Sequence, residues 1–320
     1  MQKSAFVFRS CLHVGEMTTK LYFAVTKCSY FNTKLFFTDW ICGPTRLGNK
    51  LSMIAAAIAA AVSKNMTFVL VQNDASCRWM GSLQSLFVNV ANRVPVLPAS
   101  AMTKWKSFGE DGLFTNVSEI IRRDYNFTIT GFRQTWKYMA TPKEQAAVRT
   151  TFQFTERYNN HAVRALTTAK QAFPQITNPI LVGLHMRMGD IQKNTYGWQM
   201  ANKTFYDHVL QVAYSFFHES SNIIFVAGSD SPSLGKQMLA DAQSLYNIFW
   251  LSGDTFEDFA ALSHCNHSVI SGGTYGLWAA WLAGGETFHF ANFSKRGTKF
   301  DEGFFNENFY WPQWHSVSWF

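Results

Sequence analysis

The sequence predicts an α/β fold in two lobes, each organised around a parallel sheet, and three observations carry that expectation. Beyond residue 176, short apolar runs alternate with amphipathic stretches of helical period, as strands buried between helices do. In the first half a strand, a turn, a helix and a second strand follow in order, the unit from which parallel sheets are built. At 320 residues the chain is also long for one core, and such lengths usually divide into two domains sharing a cleft. PQITNP, residues 174–179, breaks the pattern, so the expected domains are 1–175 and 176–320.

Element by element, KLFFTDW (34–40) reads as a strand and CGPTRLGN (42–49) as the turn after it. The alanine-rich run 51–65 is then a buried helix, and TFVLVQND (67–74) the next strand. Residues 75–145 mix aromatics with scattered charge and give no clear period, whereas 143–173 form a polar helical stretch. In the second half NPILVGLHMRMGD (178–190) is a strand, 205–220 a helix, SNIIFVAGSD (221–230) a strand and 233–246 a helix. Helix 254–265, strand 266–273, helix 274–285 and strand 286–293 complete the alternation. The tail FFNENFYWPQWHSVSWF (304–320) is aromatic enough that it must pack against the rest.

Composition narrows the function. With 47% hydrophobic and 15% charged residues the chain can bury a sizeable core. Lys and Arg exceed Asp and Glu by 28 − 21 = 7, a basic balance without any dense run of positive charge. That suits an anionic ligand or a membrane surface better than nucleic acid, which would call for a basic stripe. The most apolar helical run, Leu51 to Val62, is too short to span a bilayer. Six N-x-S/T sequons (Asn65, Asn116, Asn126, Asn202, Asn266, Asn292) exceed the roughly three expected by chance and point to a secretory compartment. Five cysteines (Cys11, Cys28, Cys42, Cys77, Cys265) leave at least one thiol unpaired.

A doubly wound sheet binds ligands beyond the C-terminal ends of its strands, where His185, Arg187, Ser229, Asp230, Gly272 and Gly273 all fall. Arg187 closes an apolar strand, where an arginine needs an anion: either a ligand diphosphate or a carboxylate such as Asp190. His185 alternates onto the same face, and a lone histidine there is more often a satisfied core residue than a catalyst. SGGTYG (271–276) reads equally as a phosphate-binding helix start or as a turn needed for close packing. His264, Cys265 and His267 lack a second ligand cluster, and there is no D-x-D to hold Mg²⁺ or Mn²⁺. G-x-S-x-G and a P-loop lysine are absent as well.

VGLHMRMGD (182–190), IIFVAGSDSPSL (223–234) and DFAALSHCNHSVISGGTYGLWAAWLAGGETFHFANF (258–293) resemble the three peptide motifs of the α1,2-fucosyltransferases, glycosyltransferase family 11. TRLGNKL (45–51) resembles the family's G-R-L-G-N-Q turn, and the resemblance spans 45–314. It implies a GT-B architecture of two facing Rossmann-like domains, with 1–175 on the acceptor side and 176–320 binding GDP-fucose. It also implies an inverting transfer of L-fucose to O2 of a terminal galactose, with no metal or other cofactor. Residue by residue, the resemblance puts His185, Arg187, Ser229, Asp230, Asp258, Gly273, Thr274, Arg46 and Asn49 on the donor, with Arg187 on the diphosphate. Arg187 and Asp190 are the catalytic candidates, Asp190 either as the base or as a group orienting Arg187. Expected partners are GDP-fucose and a galactose-terminated glycan, in the Golgi lumen behind a type II anchor that the sequence does not display. Sequons Asn65, Asn116, Asn126 and Asn202 are the expected glycosylation sites. This chain departs from the family at Met188 (usually arginine), Lys50, Thr45 and Ile191, which bears on acceptor choice and turnover more than on donor binding. A different acceptor, or a silent relative that binds the nucleotide sugar without transfer, is the competing expectation.

Overall fold

In the computed structural model the described residues are 35–37, 45–64, 66–72, 78–98, 106–108, 127–129, 131–193, 196–217 and 222–318. In chain order the first half contains β1 (Leu35–Phe37), α1 (Leu47–Lys64), β2 (Thr67–Phe68), β3 (Leu70–Gln72), α2 (Arg78–Leu86), α3 (Val88–Arg93), β4 (Val96–Pro98), β5 (Lys106–Phe108) and β6 (Phe127–Ile129). Then come α4 (Pro142–Thr151) and α5 (Glu156–Gln171). The second half contains β7 (Ile180–Met186), α6 (Lys203–Phe216), β8 (Ile223–Ser229), α7 (Pro232–Met238), β9 (Asn247–Trp250), α8 (Thr255–Ser263), β10 (His267–Ile270), α9 (Gly273–Ala283), β11 (Thr287–Phe290), α10 (Lys299–Gly303), α11 (Asn306–Phe309) and β12 (His315–Val317).

Local chemistry explains where these elements start and stop. Thr141 and Glu144 form a reciprocal capping box ahead of α4, whose first residue is Pro142. Asp254 and Glu257 do the same for α8, and Asn202 caps α6 by accepting from the Phe205 N–H at 2.9 Å. Gly284, at φ 81°, ends α9 in the left-handed conformation that a side chain would strain.

Six strands form one parallel sheet in the order β12-β11-β10-β7-β8-β9. From β7 the chain winds outward through β8 and β9, then returns to the other side of β7 with β10, β11 and β12. The order therefore reverses between β7 and β10, and a ligand crevice opens beyond the strand ends at such a switch point. A second parallel sheet, β2-β1-β6-β5, and a parallel pair, β3-β4, belong to the first half. The α/β class with parallel sheets expected from the sequence is the one observed.

Several boundaries differ from the expectation. TFVLVQND is two strands in different sheets, because the chain leaves β1 after Phe68 and pairs with β4 from Leu70. The stretch 143–173 is two helices broken where Phe154 bridges Phe87 and packs, tilted, against its ring. The helix at 233–246 ends at Met238, which leaves room for β9, and the aromatic tail adds β12 as an edge strand. Phe309, Tyr310 and Trp311 of that tail are buried, as its composition requires.

The described residues from Thr33 onward form one compact unit, and α1 runs through it. Leu51 and residues 53–61 of α1 are all buried, so the helix is apolar on every side and its alanines admit close neighbours. Ser52, also buried, accepts from the Trp278 indole N–H at 2.9 Å. At Gly48 the helix meets another backbone closely: a Cβ would lie 2.5 Å from the Thr274 carbonyl carbon and the Tyr275 nitrogen. Backbone cannot yield there, so Gly48→Ala is expected to cost more than about 2 kcal/mol by overpacking, read as a lower Tm. An unchanged Tm would show that the two helix starts are not held in contact.

Candidate active site at the sheet switch point

Three adjacent strand ends build the floor of the site: Arg187 after β7, Asp230 after β8, and Ser271 with Gly272 after β10. The Ser271 hydroxyl accepts from the Arg187 backbone N–H at 2.7 Å, tying β7 to β10 across the reversal point. Asp230 spreads its two oxygens over the loop after β7. Oδ1 accepts from the N–H groups of Met188 (2.8 Å) and Gly189 (2.9 Å), and Oδ2 receives Arg187 Nη1 at 2.6 Å. Burial pushes the Asp230 carboxyl up, but the Arg187 guanidinium and the two backbone donors outweigh it and hold it below its usual range. Gly189 is required here, because a Cβ would lie 2.9 Å from Asp230 Oδ2.

The other arm of Arg187 meets Asp190, with Nη2 2.5 Å from Oδ1. Asp190 Oδ2 in turn faces Arg46 Nη1 at 3.3 Å. The result is a chain of alternating charge, Arg46, Asp190, Arg187 and Asp230, that joins the start of α1 to two strand ends. Arg187 is only 16% exposed whereas Arg46 is 65% exposed, so the inner pairs are far less screened than the outer one.

Above this floor sits the start of α9. Gly272 (φ 121°) and Gly273 (φ 77°) both adopt backbone conformations that side chains rarely tolerate. A Cβ on Gly272 would collide with the Phe293 ring, while Gly273 lies against the Arg187 side chain, 3.7 Å from its Cγ to the position a Cβ would take. The turn therefore serves both readings: it packs tightly and it brings a helix N-terminus, with its free N–H groups, beside an arginine. Thr274 donates its hydroxyl to Asn49 Oδ1 at 2.7 Å, linking α9 to α1.

Buried beneath α9 is His185. Its ring lies 4.9 Å from that of Tyr275, and a Cβ on Gly276 would come within 2.5 Å of its Nδ1, which has no hydrogen-bond partner among the described residues. Burial pushes its pKa down to about 4, so the ring is neutral near pH 7. The imidazole shapes the floor from below. Tyr275 donates its hydroxyl to the Thr255 carbonyl at 2.7 Å, so the starts of α8 and α9 are joined. Asp258, in the first turn of α8, accepts from the Gly253 N–H at 3.0 Å, and burial, then Asp254 and Glu257, raise its pKa to about 6.

A model of "Glycosyl transferase family 11" matches residues 118–318. The chain belongs to that family. Galactoside alpha-(1,2)-fucosyltransferase 1 of Oryctolagus cuniculus is 28% identical over 87% of this chain and 73% of its own length. The protein of that name from Bos taurus is 28% identical over 59% of this chain and 53% of its own, so the match spans about half of that relative. The solved structure of POFUT1 in complex with GDP (crystal form III) is 10% identical, with TM-score 0.45, over 90% of this chain and 99% of that one.

In this family 11 chain, the structure brings Arg46, Asn49, Arg187, Asp190, Asp230, Gly273 and Thr274 together, with His185 underneath. Ser229 turns its hydroxyl to the Ser231 N–H at 3.0 Å and shapes the loop after β8. Asp258 turns its carboxylate to the Gly253 N–H and forms no ion pair with Arg187. Met188, where the family usually has arginine, is fully buried in the core while its N–H still serves Asp230, so Arg187 keeps its mooring. Ser271 and Gln134, which donates to Asn49 Oδ1 at 3.0 Å, were not legible as site residues. The serine stands in a motif whose glycines drew attention; nothing around Gln134 marks it.

His264, Cys265 and His267 are occupied structurally. His264 bonds the Ala260 carbonyl and Asn159, the Cys265 thiol is buried and pushed up to about 12 by burial, and His267 accepts from the Glu286 N–H. Among the described residues no group of three His, Cys, Asp or Glu is placed to hold a metal ion. Asn202 is exposed and uses only its oxygen for the α6 cap, which leaves Nδ2 open to a glycan; Asn65, Asn116 and Asn126 lie outside the described residues. No described helix is long and apolar enough to cross a membrane.

The histidine at the floor has a consequence for acid stability. His185 binds a proton near pH 6.5 when unfolded but only near 4 in the fold, so stability present above that window is lost as pH falls through it. Asp258, held near 6, works in the opposite sense between its ordinary value and pH 6. Melting measured from pH 7 down to pH 4 is expected to fall more gently for His185→Gln than for the wild type. Parallel curves would mean that His185 is not buried neutral.

Proposed function

We propose that this family 11 chain is an inverting, metal-independent α1,2-fucosyltransferase that moves L-fucose from GDP-fucose to O2 of a terminal galactose. One observation carries the reading: Arg187 stands beside the Gly273–Thr274 helix start at the switch point, moored by one N–H donor hydrogen-bonded to Asp230 and by an ion pair with Asp190. A guanidinium has five such donors, so the remainder can meet a diphosphate together with the free N–H groups of α9. The names of the relatives supply the sugar and the linkage. Residues 176–320 are the donor side and 1–175 the acceptor side, and the setting is the Golgi lumen behind a type II anchor.

In the transfer, the galactose O2 forms a bond to fucose C1 as the bond from C1 to the β-phosphate oxygen breaks. The O2 proton passes to a base, and GDP departs carrying the negative charge. Arg187 and the start of α9 sit where that charge develops, which is where fixed donors lower a barrier most. We read Asp190 as a positioning group rather than the base, because each of its oxygens lies in an ion pair, one with Arg187 and one with Arg46. Met188 gives no support to a silent binder, since the loop it belongs to keeps its hydrogen bonds.

Incubation with labelled GDP-fucose and a β-galactoside in EDTA is expected to place fucose on galactose O2, and Arg187→Ala to lower kcat by about 10²- to 10³-fold. Absence of both transfer and GDP release above the mutant level would discard the assignment. Asp190→Asn separates the two roles of that residue. As a positioning group it should raise the donor KM more than it lowers kcat, while a collapse of kcat at unchanged donor KM would restore it as the base.

A further inference from the structure

The carboxamide of Asn49 touches residues of both halves of the chain, and its orientation is specified by two donors. Oδ1 accepts from the Thr274 hydroxyl at 2.7 Å and from Gln134 Nε2 at 3.0 Å, which occupies both lone pairs of that oxygen. The Nδ2 group must then point away from both, and it has no partner among the described residues. Two N–H donors are thus left on the half-buried first turn of α1, three residues after Arg46 and one hydrogen bond from Thr274.

Gln134 is itself rigidly held. Arg133 before it is buried and adopts φ 48°, uncommon for a side-chain-bearing residue, and Gly131 takes φ 110°. Thr135 after it is buried and caps the 3₁₀ turn Trp136–Met139 by accepting from the Lys137 N–H. Backbone conformations of this kind persist only where the surroundings impose them. The segment delivers a donor to a fixed point, and the point is Asn49.

We propose that Gln134 is a positioning residue for the donor. By donating to Asn49 Oδ1 it prevents the amide from turning over, holds the Thr274 hydroxyl in place, and presents the Asn49 NH₂ to an anionic oxygen of the nucleotide diphosphate. The inference rests on the nucleotide-sugar reading above. A glutamine with its own amide turned over would instead accept from Asn49 Nδ2, and the site would present a carbonyl oxygen, which repels a phosphate.

Two substitutions separate these possibilities. Gln134→Met keeps the volume and removes the donor; Gln134→Glu can only accept, so it draws Asn49 Nδ2 toward itself. Binding of GDP is measured by calorimetry, donor and acceptor KM by steady-state assay, and folding by Tm. Gln134→Glu is expected to weaken GDP and raise the donor KM by about tenfold, the scale of one charge-assisted hydrogen bond, and Gln134→Met by less. Acceptor KM and Tm should stay close to wild type. In an Asn49→Ala background the effect of either change should vanish, because Gln134 acts through Asn49. Wild-type affinity in Gln134→Glu, or an undiminished effect without Asn49, would overturn the proposal alone. Failure of the wild type to bind GDP would overturn the nucleotide-sugar reading and this inference with it.

Discussion

The site depends on one contact between backbones, the approach of the first turn of α1 to the first turn of α9 at Gly48. Without a side chain there, the two helix starts can touch, and residues 225 positions apart share a hydrogen bond between Asn49 and Thr274. Arg46 reaches Asp190 only because α1 begins at that spot. Apolar burial along the alanine face and the Ser52–Trp278 hydrogen bond hold the helices in register behind the contact. Arg149 secures the far end of α9 by donating to the Trp281 and Leu282 carbonyls while lying over the Trp281 ring. Both ends of the helix that presents the glycine turn are therefore fixed by residues of the first half.

Electrostatics follows from that geometry. A guanidinium at the end of an apolar strand would be costly if unpaired, and Asp230 and Asp190 remove the cost while fixing its direction. Asp230 is committed to this task by three donors, two of them backbone groups of the loop it steadies. The same burial that keeps water from Arg187 keeps His185 neutral beneath it, so the positive charge of the floor resides on arginine rather than histidine. Such a floor is preorganised: the groups that would meet an anion are held before it arrives.

Much of the second half was legible because its pattern is local. Apolar runs bounded by polar turns mark buried strands wherever they occur, and β7, β8, β10 and β11 lie where the sequence places them. The short edge strands β9 and β12 were not, since an aromatic run beside a turn reads equally as packing surface. In the first half, strands of two or three residues carry too little period to recognise, and one apparent strand serves two sheets. Of the site, Arg187, Asp190 and the glycine turn could be picked out, each being a residue type that is expensive or strained where it stands. Gln134 could not, because an amide in a polar-aromatic loop looks the same whether or not it meets another amide.

By itself the sequence determined the class of fold, the strand ends at which charge and glycine concentrate, and the family motifs. These are properties of short windows, set by burial, period and backbone freedom. The tertiary structure alone decided which strand ends are neighbours, that Asp190 divides its oxygens between Arg187 and Arg46, that His185 lies under α9, and that Met188 turns into the core. Each depends on contacts between segments far apart in the chain, and a hydrogen bond or an excluded Cβ is specified by position in space, which no local pattern encodes.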